Sequence, residues 1–440
     1  MIFRRIALIF CAVFILMSSA SCNILDADIN SLLTPPKQDG YTYPIQKALE
    51  ASVGDDITLK YPVSGNYRTA FTLRDIDGDS VNEAIALYSK TVDGTISMHL
   101  NVIDYENDEW VSKNDVSVVG NGVDKIEFCD LNNDNVPEII VGWMVYGTVD
   151  KQVGIYTYDG GVLNQRAMEK YTDFVCAKFR DKTKEDFIVL NLNSTEKTAN
   201  LKILEISESG ILETASALLD GGVTSYSAPI VTTISGKKNA LLIDAIKGSG
   251  MITEIVWFEN NQLNTIYDPV AGETTLTFRP STLANITDID GDLSYEVPTM
   301  SLLLSTADKS DSEKVYVTSW NRFDGRRFKT VKNTFMNYTD GYCLTVPDKW
   351  LDKLYLARQP DIRQRIIYSY DKANALQGDE LFRIITATNK DIDEGKLDLT
   401  GYEKIVSSGE LNYLVKIAQG NSFNIDLDFI KENFELIGEK

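Results

Sequence analysis

Three short segments of this chain repeat one pattern of oxygen-bearing side chains. They occupy residues 75–83, 130–138 and 288–296, and acidic or amide residues stand at the first, third, fifth and ninth positions of each. Apolar runs flank every copy. A pattern that returns in register along a chain is typical of repeat architectures, in which each unit covers an apolar face of the next. The repeat therefore constrains the fold more than any other feature of the sequence.

The side chains at these positions are those that calcium prefers. Calcium takes about six to eight oxygen ligands, so a binding loop must direct several oxygens inward. We expect one structural calcium ion per segment, and thus up to three. The predicted ligands are Asp75, Asp77, Asp79, the Val81 carbonyl and Glu83; Asp130, Asn132, Asp134, the Val136 carbonyl and Glu138; and Asp288, Asp290, Asp292, the Ser294 carbonyl and Glu296. The alternative is a solvated acidic turn, which three copies in register disfavour.

An EF-hand is the competing assignment for such a loop. That motif needs glycine at its sixth position and glutamate at its twelfth, between two helices. In the first segment these positions hold Ser80 and Ala86, and the residues on both sides alternate as strands do. The segments are therefore predicted to join strands rather than helices.

Alternating apolar residues predict four short strands in each repeat unit, and the unit returns about every 50 residues. The strands predicted in the first unit cover residues 70–73, 84–88 and 98–103 and begin again at 110. Weaker copies of the loop follow at Asp181 and Gly236, where lysines replace ligands. These two copies are predicted to bind no ion, and Asp181 or Asp186 is expected to interact with the neighbouring lysines instead.

Small sheets with two apolar faces need neighbours on both sides, and closing them into a ring leaves no end face exposed. The predicted fold is therefore mainly β, a β-propeller of about five four-stranded blades, followed by a small α+β C-terminal domain. Six blades remain the alternative if one is unrecognised. A strand at residues 57–61 is expected to complete the last blade.

The acidic loops and their flanking strands resemble FG-GAP and VCBS repeats, the calcium-bearing propeller units of integrin alpha chains and many bacterial surface proteins. The resemblance covers roughly residues 57–336. It implies a propeller whose loops hold calcium and whose surface often binds a ligand. The copies at Asp181 and Gly236 depart from the family pattern.

The N-terminus has the features of an export signal. Arg4 and Arg5 precede an apolar run at residues 6–17, which is too short to span a membrane as a stable helix. Small residues then lead to Cys22, and this resembles a bacterial lipobox in which Ser19 replaces the usual aliphatic residue. The resemblance implies lipidation of Cys22.

These features predict a signal peptide at residues 1–21 and a lipid-anchored linker at 22–45. The protein is then expected on the outer face of the bacterial cytoplasmic membrane, held through Cys22, or secreted if Cys22 is not lipidated. A propeller is expected at 46–336 and the α+β domain at 337–440. A short helix is predicted near Ile45 and Leu49.

The C-terminal block shows its own pattern. Strands are predicted at 365–370, 381–387 and 413–418, and a final helix is predicted with Phe429, Ile430, Phe434 and Ile437 on one face. The start of the block weakly resembles PsbP-like domains.

The formal charge of −21 argues against nucleic acid as a partner. The single histidine, His99, is expected to be a packed or surface residue, and Cys129, Cys176 and Cys343 to be small apolar residues, with a Cys129–Cys176 disulfide as the alternative. The expected function is that of a non-catalytic, monomeric cell-surface lipoprotein whose propeller binds a protein or a glycan. The alternatives are an extracellular enzyme acting on polysaccharide through paired carboxylates, and an active C-terminal block for which the propeller is a spacer.

Overall fold

The computed structural model describes residues 42–145, 151–207, 210–234 and 238–438. The signal peptide, Cys22, most of the predicted linker and the loop at Gly236 lie outside these ranges. The chain divides into two compact units, one made of residues up to Lys125 together with Tyr158–Asn164, the other of Ile126–Thr157 and Gln165–Lys440. Within the described residues, no helix is long and apolar enough to span a membrane.

The first unit begins with the predicted helix, which is confirmed as α1 (Thr42–Val53). Its strands are β1 (Thr58–Leu59), β2 (Phe71–Arg74), β3 (Glu83–Val92), β4 (Thr95–Glu106) and the first part of β5 (Glu109–Cys129). Strands β2 to β5 pair antiparallel in chain order. Ile45 and Leu49 of α1 are buried against β3, where Ala86 and Tyr88 belong to the same apolar cluster.

The expected role of the strand at residues 57–61 is wrong. Only Thr58 and Leu59 form a strand, and they pair with Ser89 and Tyr88 of β3, in the first sheet. Leu59 packs against the apolar cluster that contains Ile45 and Leu49 of α1. This contact holds the short strand in the first repeat unit.

The remaining strands continue the pattern of short antiparallel hairpins. In chain order they are β6 (Glu138–Val145), β7 (Lys151–Asp159), β8 (Val162–Tyr171), β9 (Asp173–Ala177), β10 (Asp186–Asn193), β11 (Thr198–Ser207), β12 (Gly210–Leu219), β13 (Ser225–Tyr226), β14 (Ile230–Ile234), β15 (Lys238–Lys247), β16 (Gly250–Glu259), β17 (Gln262–Thr265), β18 (Val297–Leu302), β19 (Tyr316–Phe323), β20 (Phe328–Asn337) and β21 (Tyr342–Thr345). Four-strand meanders recur as β9–β12, β14–β17 and β18–β21. The prediction of a mainly β, antiparallel fold is confirmed.

The central sheets bury both of their faces. Along β10, Ile188 and Leu190 enter one apolar cluster while Phe187 and Val189 enter another. Along β15, Leu241 and Ile243 join the first of these clusters, whereas Leu242 joins a third. Because side chains alternate across a strand, each sheet packs between two neighbours.

The sheet of the fifth repeat unit, here called the fifth sheet, has the strand order β18-β19-β20-β21-β27. Its last strand comes from the C-terminus of the chain. Strand β27 (Phe434–Leu436) pairs with β21 and follows helix α3 (Leu427–Asn433). The predicted final helix was therefore too long. Phe434 lies in a strand because it is buried against Tyr342, with ring centroids 4.8 Å apart.

The C-terminal sheet confirms the three strands predicted there and has the order β22-β23-β24-β26-β25. Its elements are β22 (Leu354–Gln359), β23 (Gln364–Asp371), β24 (Leu376–Thr388), α2 (Asn389–Asp393), β25 (Glu403–Ser408) and β26 (Leu411–Ile417), with single 3₁₀ turns at Leu304–Thr306, Asp348–Lys353 and Pro360–Ile362. Phe335 before the predicted boundary at 336 and Leu344 after it belong to one apolar cluster. Cys129, Cys176 and Cys343 are free thiols.

Candidate metal centre

The first acidic loop joins β2 to β3 and is folded around its own carboxylates. Asp75 accepts hydrogen bonds from the N–H groups of Gly78 and Ser80, at 2.7 and 3.1 Å. Both donors have positive φ values, 83° and 73°, which produces the tight turn. Carboxylate oxygens of Asp75, Asp77 and Glu83 thereby lie within 4.8 Å of one another. Three predicted ligands of the first loop converge, and their types fit a calcium ion.

Glu83 is the most informative residue of this group. It is fully buried, and its Oε2 accepts a hydrogen bond from the Ile76 N–H at 2.8 Å. Its Oε1 is buried as well and has no hydrogen-bond partner among the described residues. Burial, followed by the charges of Asp77 and Asp104, raises the pKa of Glu83 to about 7. A buried acceptor without a partner costs roughly 1–3 kcal/mol, which a cation at this position would relieve.

Two residues missed by the sequence analysis extend the site. Asp104, near the end of β4, has a pKa raised by burial and by the charges of Glu106 and Asp77. The Tyr158 hydroxyl is buried without a hydrogen-bond partner in the described part of the chain, and burial and the charge of Asp104 raise its pKa. Asp104 lies at a turn that recurs in every repeat unit, and comparing those turns would have identified it.

Asp79 lies outside the converging group. Its Oδ1 accepts a hydrogen bond from the Val81 N–H at 2.7 Å, so this carboxylate supports the loop backbone. Coordination by Asp79 and by the Val81 carbonyl stays a prediction.

The third loop, which precedes β18, has the same internal hydrogen bonds. Asp288 accepts from the N–H groups of Gly291 and Leu293, and Glu296 accepts from that of Ile289, at 2.7, 2.9 and 3.0 Å. Oxygens of Asp288, Asp290 and Glu296 again lie within 4.8 Å of one another. The first and third loops therefore share one scaffold.

Their difference is Arg322 on β19, whose guanidinium lies among the carboxylates of the third loop. Its Nε donates to Glu296 Oε1 at 2.6 Å. Its Nη2 lies 2.7 Å from Asp290 Oδ2 and 2.8 Å from Asp292 Oδ2. Glu296 is fully buried, and both of its oxygens have partners. A calcium ion fits this loop less well than the first, because a cation of the protein already holds its acids. Coordination by the Ser294 carbonyl stays a prediction.

The second loop, between β5 and β6, contains an amide in place of a cation. Asn132 Nδ2 donates to Asp134 Oδ2 at 2.9 Å and to Glu138 Oε1 at 3.1 Å, and Glu138 Oε2 accepts from the Leu131 N–H at 2.7 Å. Burial and the charges of Asp134 and Asp130 raise the pKa of Glu138 to about 7. Among the described residues, the acids of this loop are held by hydrogen bonds and by no ion pair. Coordination by the Val136 carbonyl stays a prediction.

The degenerate loop before β10 also supplies its own cation, although not the one expected. Asp186 is buried and pairs with Arg180, whose Nε and Nη2 lie 2.7 and 2.6 Å from Asp186 Oδ1. The same guanidinium reaches Glu205 at 2.5 Å. Of the two alternatives expected here, Asp186 pairs with Arg180 rather than with a lysine, because this planar group bonds two acids at once. Asp181 follows the other alternative: hydrogen bonds from Thr183 lower its pKa, and the charge of the neighbouring Lys184 lowers it further.

His99 is part of a hydrogen-bonded row that resembles a catalytic triad. Its Nε2 lies 2.8 Å from Ser97 Oγ and its Nδ1 lies 2.7 Å from Asp115 Oδ2. The imidazole stacks on Tyr88, which donates to the same aspartate at 2.7 Å. Ser97 lies inside β4, whose backbone pairs with β3 and β5, so the amides of this strand are not free to stabilise an oxyanion. The row fits the expected packed histidine.

Comparisons with known proteins do not establish the fold or the function of this chain. No protein-family model matches, and no curated protein matches. Among solved structures, an exotype rhamnogalacturonan lyase aligns with TM-score 0.31 and 10% identity, over 70% of this chain and 65% of that one. A Pseudomonas aeruginosa periplasmic gluconolactonase aligns with TM-score 0.29 and 10% identity, over 72% of this chain and 85% of that one. A Bacillus licheniformis rhamnogalacturonan lyase aligns with TM-score 0.30 and 11% identity, over 67% of this chain and 68% of that one. The chain thus spans slightly under two thirds of the first lyase, and TM-scores at this level carry no argument about fold or activity.

Proposed function

We propose that this chain is a calcium-stabilised, non-catalytic binding scaffold: a lipoprotein of β-propeller type on the outer face of a bacterial membrane, presenting a surface to a protein or glycan ligand. The observation that carries the calcium part is Glu83, whose buried Oε1 has no partner in the described residues and whose carboxylate lies within 4.8 Å of those of Asp75 and Asp77. Three carboxylates this close repel one another, so a bound cation would stabilise the folded state.

Recurrent four-stranded meanders with both faces buried support five propeller blades. The sheets formed by β9–β12, by β13–β17 and by β18–β21 with β27 each fit one repeat unit, and residues of β10 and β15 share one apolar cluster. The fifth sheet is completed by β27 rather than by the N-terminal strand. Polysaccharide cleavage by paired carboxylates stays the alternative function, without a specific contact in its favour among the described residues.

We also propose that the three acidic loops differ in what stabilises their acids. The first takes calcium through Asp75, Asp77 and Glu83. The acids of the third are neutralised by Arg322, and those of the second accept hydrogen bonds from the uncharged Asn132 amide. Calcium then contributes rigidity, by holding the start of β3 against its loop, and takes no part in a reaction.

Thermal unfolding with and without calcium tests the proposal. Calcium at about a hundred times its dissociation constant should stabilise the protein by about 2.7 kcal/mol relative to chelator. Glu83→Gln removes the buried charge and should abolish this difference, whereas the control Glu196→Gln, at an exposed loop position, should keep it. Identical melting curves in calcium and chelator for the unaltered protein would contradict the proposal.

The membrane attachment is tested separately by cell fractionation. Cys22→Ser removes the thiol that lipidation needs and should move the protein from the membrane to the soluble fraction or the medium. Retention of the variant in the membrane fraction would contradict lipidation at Cys22 and leave the calcium proposal untouched.

A further inference from the structure

A cleft in the second unit has an unusual charge distribution. It lies between the fifth sheet and the C-terminal sheet and has a volume of about 280 Å³. Its walls are mostly apolar or aromatic, and the residues that form them include Met300, Phe335, Tyr342, Leu356, Ile367 and Ile384. This volume is just below the range of about 300–1,000 Å³ typical of drug-sized ligands, so the cleft suits a small molecule.

Two arginines line the cleft from adjacent strands. Arg358 of β22 and Arg365 of β23 are directly opposite each other in the antiparallel register. Like charges at directly opposed positions destabilise a sheet. Desolvation, and then the charge of Arg365, lowers the pKa of Arg358. The fold therefore places two positive charges together against an electrostatic cost.

No acid offsets this cost within the described residues. Arg358 donates one hydrogen bond to the Lys314 carbonyl at 3.1 Å. Arg365 donates to the Gln364 carbonyl and to Asn337 Oδ1, both at 3.3 Å. A guanidinium has five N–H donors, and because Arg358 is exposed and Arg365 half-buried, most of the donors on this pair are open to water or to a bound acceptor.

The buried acid of this region is already paired elsewhere. Asp340 accepts from Arg363 Nε at 2.6 Å. The protein carries a formal charge of −21, so an arginine pair without a carboxylate is not explained by a shortage of acids. The arrangement contrasts with Arg180 and Arg322, each of which holds two or more carboxylates.

Tyr338 adds a polar group to the same cleft. It is one of the lining residues, and its hydroxyl is buried without a hydrogen-bond partner in the described part of the protein. Burial raises the pKa of Tyr338 to about 12, so the hydroxyl remains a donor at neutral pH. Polar donors in a mostly apolar cleft are the usual composition of a small-molecule site.

We propose that this cleft binds a small organic anion, whose carboxylate or phosphate group is held by Arg358 and Arg365 and whose apolar or ring-shaped body lies among the aromatic and aliphatic walls. Planar guanidinium groups bond such anions through two parallel N–H donors, which a single ammonium cannot do. The proposal goes beyond the scaffold function and does not depend on calcium, since no acidic loop lines the cleft.

Calorimetric titration of the calcium-loaded protein with benzoate, phenyl phosphate, inorganic phosphate and neutral benzamide tests it. Saturable binding of benzoate or phenyl phosphate, with no measurable binding of benzamide, is expected, and the comparison of the two anions shows which head group the cleft prefers. Inorganic phosphate should bind more weakly than phenyl phosphate because it lacks the apolar body.

Arg358→Gln and Arg365→Gln should each weaken binding about tenfold or more, since each removes charge-assisted hydrogen bonds. The control Arg68→Gln changes an exposed arginine of the first unit and should leave binding unchanged. Failure of both anions to bind, equal binding of benzamide, or unchanged affinity in both variants would overturn the proposal.

Melting temperatures in the absence of any anion supply an independent check. If the arginine pair exists for a ligand, Arg358→Gln removes repulsion and should melt at or above the temperature of the unaltered protein. A clear loss of stability would show that the guanidinium is structural and would overturn the proposal. Neither outcome affects the calcium test at Glu83.

Discussion

The first and third acidic loops have the same spacing of acids and the same internal hydrogen bonds, yet their buried glutamates have different partners. Glu83 keeps one oxygen without a partner in the described residues, whereas the corresponding oxygen of Glu296 accepts from Arg322. The repeat position that holds Arg322 in the fifth unit holds Asp104 in the first. One side chain on a neighbouring strand therefore decides whether this buried oxygen has a partner within the described residues.

Arg322→Gln should have the largest effect on the difference between the two loops. Removing the guanidinium leaves Glu296 and its neighbouring acids without a cation. Breaking a fully buried ion pair costs about 3–5 kcal/mol, and a smaller loss, about 2 kcal/mol, is expected in chelator because Arg322 is 36% exposed. Calcium should restore much of this loss by occupying the vacated loop, as followed by thermal unfolding.

The control is Arg327→Gln, which changes an arginine that is 85% exposed on the same sheet and should alter stability little. If Arg322→Gln were destabilised equally in calcium and chelator, the third loop would not be equivalent to the first.

The spacing of the acids predicted three of the converging side chains in the first loop and three in the third, but it also predicted Asp79, Asp292 and the second loop, which do not join such a group. Glu83 and Glu296 each lie eight positions after the first aspartate of their loop, at the point where the next strand begins. The local course of the chain therefore brings each glutamate close to the aspartates of its own loop. Arg322 was not predictable in this way, because its contact with the loop depends on the pairing of β18 with β19. Charge alone does not reveal which arginine a loop will meet.

Long-range pairing also limited the prediction of the fold. The meanders follow from local alternation, whereas β27 reaches the fifth sheet from the far end of the chain. The apolar residues near Phe434 fit a helical period and a strand period equally over so few residues. The opposition of Arg358 and Arg365 likewise depends on hairpin register, which composition does not contain.

A matched pair of alanine substitutions compares the third position of the first loop with that of the third loop. Asp77→Ala removes a converging ligand of the first loop and should cost about 1–2 kcal/mol in calcium, by linkage, but almost nothing in chelator. Asp290→Ala removes one exposed partner of Arg322 and should cost about 0.5–1 kcal/mol in both conditions. Chemical unfolding in the two buffers measures both. Equal calcium dependence of the two variants would contradict the distinction between the loops.

A further expected effect is on the pH dependence of the calcium-free protein. The folded-state pKa of Glu83 is about 7, above its ordinary value of 4.5, so the folded state holds this proton more tightly than the unfolded state. Its contribution is fully favourable below pH 4.5 and is lost as pH rises through 7. In chelator, Glu83→Gln should therefore match the unaltered protein near pH 4.5 and exceed its stability by up to about 3 kcal/mol at pH 8, since each pKa unit corresponds to about 1.4 kcal/mol. If the difference in stability between Glu83→Gln and the unaltered protein does not change with pH, the pKa of Glu83 is not raised in the folded state.

Counting calcium ions by titration calorimetry on the unaltered protein, Glu83→Gln and Arg322→Gln tests the central claim most directly. The account predicts that Glu83→Gln loses one high-affinity site relative to the unaltered protein and that Arg322→Gln gains one. An unchanged count in Glu83→Gln, or no additional site in Arg322→Gln, would contradict the claim that calcium holds the first loop while an arginine holds the third.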